Sequence, residues 1–89
     1  MFNGEELKQV DASYFNIIIA DDRDVTLQSK NTGHFWYLHC TEYPTNEACV
    51  IFHKHRFKHP YHQHGSAKTL KQAVKSIQKH DAWQLNCRR

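Results

Sequence analysis

The chain has 89 residues, 39% hydrophobic and 12% aromatic, enough for one compact core and too little for two domains. No run approaches the ~18 apolar residues of a membrane span. The first ten residues carry Glu5 and Glu6 and lack the apolar centre of a secretory signal, so a cytoplasmic protein with no membrane partner is expected.

In chain order, Leu7 and Val10 suit a short N-terminal helix. Tyr14 to Ala20 reads as a strand, with Phe15, Ile17 and Ile19 on one face and three consecutive isoleucines favouring β structure. Asp21-Asp22-Arg23 supplies a turn. Asp24 to Lys30 alternates as a second strand with Val25 and Leu27 inward, and Asn31-Thr32-Gly33 turns again. His34 to Glu42 is a third, aromatic-rich strand. Tyr43-Pro44-Thr45-Asn46 is a turn, and Glu47 to Arg56 a fourth strand. Short connections imply an antiparallel meander. Phe57 to Gly65, polar and interrupted by Pro60, reads as a loop. Ser66 or Thr69 then caps a helix to about His80, whose Leu70, Ala73, Val74 and Ile77 form the apolar stripe that meets the sheet. Trp83 and Leu85 suit a docked tail or short edge strand. Residues 1–89 are thus expected to form a single α+β domain: a four-stranded antiparallel sheet with one main C-terminal helix on one face.

The charge is unevenly distributed. Net charge is only +3, but residues 1–52 hold three basic and eight acidic side chains, whereas residues 53–89 hold nine basic ones, one acidic one and six of the eight histidines. This asymmetry points to a polyanionic partner or an acidic protein surface. Lys68, Lys71, Lys75 and Lys79 are spaced 3, 4 and 4 and fall within roughly 80° of arc on the helix, opposite the apolar stripe. No acidic residue accompanies them. Such a row suits phosphate contacts, although an exposed helix face also accepts lysine for its helix propensity.

A hairpin turn centred on Pro44-Thr45 pairs residues whose numbers sum to 89. One face then carries Trp36, Leu38, Cys40, Cys49 and Ile51, with His34, His53 and His55 gathered at one end. The other face carries Phe35, Tyr37, His39, Val50, Phe52 and Lys54. One face meets the helix. The other exposes aromatics beside lysine, as single-stranded RNA binders do, or fills a core or dimer interface. A register slip of one residue would exchange the two faces.

His53, His55, His62 and His64 are candidate metal ligands because neutral imidazole binds zinc. Their spacing matches no standard zinc pattern, and no cofactor is expected. Cys40, Cys49 and Cys87 show no Cys-x-x-Cys spacing and read as reduced thiols. No nucleophile motif or Gly-rich phosphate loop is present. Metal-independent RNA cleavage would rest on histidine as general acid or base beside cations.

Two stretches carry resemblances. Gly33-His34-Phe35-Trp36-Tyr37, a hairpin, His55, and a loop leading into Thr69-Leu70-Lys71-Gln72-Ala73-Val74-Lys75-Ser76-Ile77 together resemble HicA-type mRNA interferase toxins. Those are small basic proteins with a fold like the double-stranded-RNA-binding domain. That resemblance implies His34 as the catalytic residue; an enzyme reading pairs it with His53 or His55 as acid and base. The helix entry Gly65-Ser66-Ala67-Lys68 is similar to the lysine-bearing helix start of double-stranded-RNA-binding domains. In general texture the chain is also similar to small proteins of phages and mobile elements, which include anti-CRISPR and antirestriction inhibitors.

The expected function is that of a small, non-enzymatic basic binding protein, monomer or homodimer, contacting nucleic acid (RNA favoured) or a nucleoprotein complex. Lys68, Lys71, Lys75 and Lys79 would line the backbone, with Lys54, Arg56, Lys58, Arg88 and Arg89 extending the patch. The alternatives are an inhibitor of a host defence nuclease acting through a protein partner, and a HicA-like toxin using His34.

Overall fold

The computed structural model describes residues 2, 4–40 and 49–87. The Tyr43–Asn46 turn and Arg88-Arg89 lie outside the described residues. Elements follow the order α1 (Gly4–Lys8), β1 (Phe15–Ala20), β2 (Asp24–Ser29), β3 (Phe35–Cys40), β4 (Cys49–Lys54), β5 (His62–Ala67) and α2 (Leu70–Cys87). The strands form one antiparallel sheet in the order β1-β2-β3-β4-β5. This is the expected α+β meander with a short N-terminal helix, but with five strands instead of four.

The extra strand corrects the assignment of residues 57–65 to a loop. His62-Gln63-His64-Gly65-Ser66-Ala67 has low intrinsic β propensity, and Pro60 just before it reads as a breaker. Its order comes from pairing with β4, Cys49 opposite Ala67 and His53 opposite His62. The second correction concerns α2, which continues past His80 to Cys87 and takes in Trp83 and Leu85. No proline or glycine interrupts that stretch. The buried stripe Leu70, Ala73, Ile77 continues at the helical interval to Asp81, also fully buried, where an apolar residue would have signalled the helix from sequence.

Strands β2, β3 and β4 each alternate buried and half-buried positions. The β3–β4 register pairs Phe35 with Lys54, Leu38 with Ile51 and Cys40 with Cys49, which is the sum-to-89 register. The face carrying Trp36, Leu38, Cys40, Cys49 and Ile51 is buried, together with Val25 and Leu27 of β2 and Leu70, Ala73 and Ile77 of α2. In β1 a bulge between Ile17 and Ile19 breaks the alternation. Phe15 is buried, while Ile17 and Ile19 are exposed along with Ile18, so the expected shared inward face of Phe15, Ile17 and Ile19 does not form.

Two turns are set by side-chain and backbone chemistry. Asp21 Oδ1 accepts from the amides of Arg23 (2.9 Å) and Asp24 (2.7 Å), closing the β1–β2 connection as an Asx turn. Gly33 adopts φ +76°, where a Cβ is penalised. Its amide donates to Ser29 O at 2.8 Å, and Ser29 N donates to His34 O at 3.0 Å, which delivers His34 to the start of β3. At the head of α2, Gln72 N donates to Thr69 Oγ1 (3.2 Å) and Leu70 N to Glu6 Oε2 of α1 (3.1 Å). Thr69 is therefore the cap, and α1 is tied to α2. Both helices lie on the same side of the sheet.

Candidate functional site

Six histidines meet at one end of the space between sheet and α2. His34 enters from the Gly33 turn, His53 from β4, His55 just beyond it, His62 and His64 from β5, and His80 from α2. His53 is the hub. Its Nε2 lies 3.1 Å from His34 Nδ1, and its ring centroid is 4.8–5.8 Å from those of His55, His62, His64 and His80. The His34 and His55 rings stack at 4.4 Å with 6° between planes. One ligand nitrogen from each of His34, His53 and His55 lies within 4.8 Å of the other two.

The bulge in β5 helps to build this nest. Gln63 pairs with Phe52 and Gly65 with Ile51, leaving His64 as the extra residue, and its ring meets Trp36 edge-on at 5.1 Å and His80 at 4.9 Å. Bulges commonly re-aim a side chain in this way. Trp36 stacks on His53 at 4.1 Å. His80 Nε2 is buried with no hydrogen-bond partner among the described residues.

Burial governs the charge state of the hub. Desolvation, reinforced by neighbouring His34 and His55, pushes the His53 imidazole down to about 3, so it is neutral at physiological pH. Desolvation and His80 also lower His64. A group held neutral in this way cannot donate a proton as general acid at pH 7. The structure brings the catalytic candidates His34, His53 and His55 together, yet His34 and His53 are each only 2% exposed. His55, the third member, is exposed.

A second buried polar group anchors the nest. Asp81 accepts hydrogen bonds from Ser29 Oγ (2.6 Å), Tyr14 OH (2.8 Å) and Thr32 Oγ1 (3.1 Å). Ser29 Oγ in turn accepts from Trp36 Nε1 at 3.2 Å. Burial first, and the Asp81 carboxylate second, push the Tyr14 phenol up to about 12. The chain Asp81–Ser29–Trp36–His53 therefore runs from α2 across the sheet to the hub of the nest.

The opposite face of the sheet has no helix over it among the described residues. Phe35, Tyr37, Phe52 and Lys54 are half-buried there. Tyr37 stacks near Phe52 (5.5 Å, 27°) and contacts Tyr61 (6.0 Å). Lys54 Nζ sits 4.4 Å from the Tyr61 ring, 5.1 Å from Phe57 and 5.4 Å from Phe35, a cation–π arrangement. It also donates to Phe57 O at 3.0 Å. At the far end of this face, Asp24 accepts from Tyr37 OH and pairs with His39 at 2.9 Å. The hydrogen bond to Asp24 raises Tyr37 to about 12, and the same contacts lower Asp24.

The expected basic patch is divided. Lys71, Lys75 and Lys79 are exposed on α2, whereas Lys68 lies ahead of the helix in the connection from β5. Lys54, Arg56 and Lys58 belong to the end of β4 and the loop after it, and the Lys54 side chain is on the sheet face turned away from α2. The lysine row and the aromatic face are thus on opposite sides of the domain, roughly 20 Å apart across two packed layers. Sequence reasoning missed His80, Asp81 and the Phe57–Tyr61 clamp. The only advance signal for the first two was their helical spacing from Ile77.

No protein-family model matches the chain, and searches of curated proteins and of solved structures return no significant match. Among the described residues no helix is long and apolar enough to cross a membrane.

Proposed function

We propose that the protein binds single-stranded nucleic acid, RNA in the first place, on the bare face of its sheet. The observation that carries this reading is the cluster of Tyr37, Phe52 and Tyr61 rings, with Phe35 joined to it across Lys54, on a face with no helix over it among the described residues. Lys54 is held among those rings. Bases stack on exposed aromatic rings irrespective of sequence, at about 1–3 kcal/mol per base. Arg56 and Lys58, exposed in the loop at the same end, supply cations for the phosphates, while Asp24 marks the end that a polyanion avoids.

The lysine row on α2 is too far around the domain to share a short strand with the rings. It would serve a longer ligand, or one that wraps.

Fluorescence anisotropy with a labelled oligouridine, titrated across salt, tests the proposal. Tyr37→Ala and Phe52→Ala are each expected to weaken binding by about 5- to 150-fold, the equivalent of one lost stack. Lys71→Glu with Lys75→Glu should weaken it far less. The reverse pattern, with the ring variants still folded and binding normally while the lysine double variant loses binding, would move the ligand to α2 and refute the sheet-face reading.

A further inference from the structure

The nest is a separate feature from the aromatic face, on the other side of the same sheet. We propose that His34, His53 and His55 bind one divalent transition-metal ion of the zinc class, with the three imidazole nitrogens as protein ligands.

The geometry comes first. A tetrahedral ion with bonds of about 2.0–2.1 Å holds its ligand nitrogens about 3.3 Å apart. The His34 Nδ1 to His53 Nε2 separation is already 3.1 Å. These two nitrogens share a hydrogen bond, and an ion would take the place of the shared proton. The third ligand lies within 4.8 Å and belongs to His55, the exposed member of the three. Rotation of the exposed His55 ring from its stack on His34 would close the remaining gap.

The donor chemistry comes second. The three donors are all imidazoles, which suits zinc, copper, nickel or cobalt and disfavours the hard cations magnesium and calcium. Fixing one ligand ring by neighbouring contacts is what an outer shell does for a metal site. Here the Trp36 ring stacked on His53, itself tied through Ser29 to Asp81, supplies that support.

Third, burying the His34 and His53 imidazoles together is unfavourable in the absence of an ion. Polar groups removed from water require partners, and His80 Nε2, in a ring 5.3 Å from His53, has none among the described residues. The fourth position, on the side of exposed His55, is open to water or to a further imidazole from His62 or His80.

The test uses the full chain without a histidine tag, freed of metal by a chelator. Zinc chloride is titrated against a competing chromophoric chelator, and cobalt(II) serves as the spectroscopic probe. Expected are one equivalent bound, visible ligand-field bands of tetrahedral cobalt, and a rise in melting temperature with zinc. His55→Ala, at an exposed position outside the hydrophobic core, should weaken zinc at least about tenfold and remove the thermal shift. His39→Ala on the other face and His59→Ala in the loop should leave both unchanged. Absence of zinc binding, several equal weak sites, unchanged affinity in His55→Ala, or an equal loss in His59→Ala would each overturn the site. His34→Ala and His53→Ala alter buried positions and can fail to fold, so the decision rests on His55→Ala and its controls.

Discussion

Asp81 is the buried group on which the joint between α2 and the sheet depends, and removing it has a calculable cost. In Asp81→Ala the hydroxyls of Ser29, Tyr14 and Thr32 lose their shared acceptor. Ser29 is fully buried, so its hydroxyl proton, which donates to Asp81, is left shielded from water. That group alone costs about 1–3 kcal/mol. Tyr14 and Thr32 are only partly buried, so their hydroxyls reach water and these two add less. Relief from burying a carboxylate offsets part of the sum. A net loss of about 3 kcal/mol follows, against a total of about 4–13 kcal/mol for a domain of this length. The melting temperature should fall by about 12–24 °C. Asp81→Asn keeps one carbonyl acceptor for Ser29 and Tyr14 and offers an amide to Thr32, whose oxygen can accept, so about 1 kcal/mol is expected. Urea unfolding, followed by fluorescence of buried Trp36 and by far-ultraviolet circular dichroism, measures both variants. If Asp81→Ala loses less than about 1 kcal/mol, the carboxylate is not the anchor described and the joint rests on Leu70, Ala73 and Ile77 alone.

Two further outcomes follow from local chemistry. Burial first, and neighbouring Cys40 second, push the Cys49 thiol up to about 12. In a Cys87→Ser background the native protein should therefore resist alkylation at pH 8 and react rapidly in guanidinium; fast native labelling would contradict the packed Cys40–Cys49 pair. Because the folded thiol titrates above the unfolded one, its contribution to stability is complete below about pH 8.5. It is lost as pH rises toward 12, and urea midpoints across that range measure the loss. At Gly33, φ is +76° and no atom lies within 4 Å of an added Cβ. Gly33→Ala should therefore cost only the conformational penalty of about 1–2 kcal/mol, and Gly33→Asn less, by the same urea titration.

Much of this arrangement is legible in the sequence where period and turn chemistry agree. The Pro44-Thr45 turn signal leads to the pairing found between Phe35–Cys40 and Cys49–Lys54, and that pairing groups His34, His53 and His55 from sequence. Leu70, Ala73 and Ile77 likewise identify the buried side of α2. Legibility ends where a residue's place is decided by a partner far along the chain. β5 has a polar, histidine-rich sequence and is ordered by the ladder of β4. The buried stripe of α2 ends in a carboxylate whose three donors lie between Tyr14 and Thr32. Nothing local to Asp81 announces them. The separation of the lysine row from the aromatic face is also a tertiary fact, since both features are basic or stacking in sequence and only the layer order puts them on opposite sides.

The two layers are apolar at one end and polar at the other, and this asymmetry has a physical consequence. Towards the Cys40–Cys49 end the packed residues are Val25, Leu38, Ile51, Leu70 and Ala73; towards the other end they are Trp36, Ser29, His34, His53 and Asp81. A chain of 89 residues has little apolar area to spare. Well-packed apolar side chains in the polar half would be neutral or stabilising compared with hydrogen-bonded polar ones. Stability alone therefore does not account for a polar half built from four separate elements and joined from Asp81 to His55 by continuous contacts. The same end of the sheet presents Lys54 and its rings on the reverse face. His53 and Lys54 are consecutive on β4, so they point to opposite faces of one strand. Anything that reorders the β4–β5 loop, including an ion drawing His55 inward, must also move the loop residues Phe57 and Tyr61 against Lys54. The nest and the stacking face are thus mechanically joined through residues 53–61, and zinc is expected to change oligouridine affinity in the wild type but not in His55→Ala. An affinity that is the same with and without zinc would show that the two faces act independently.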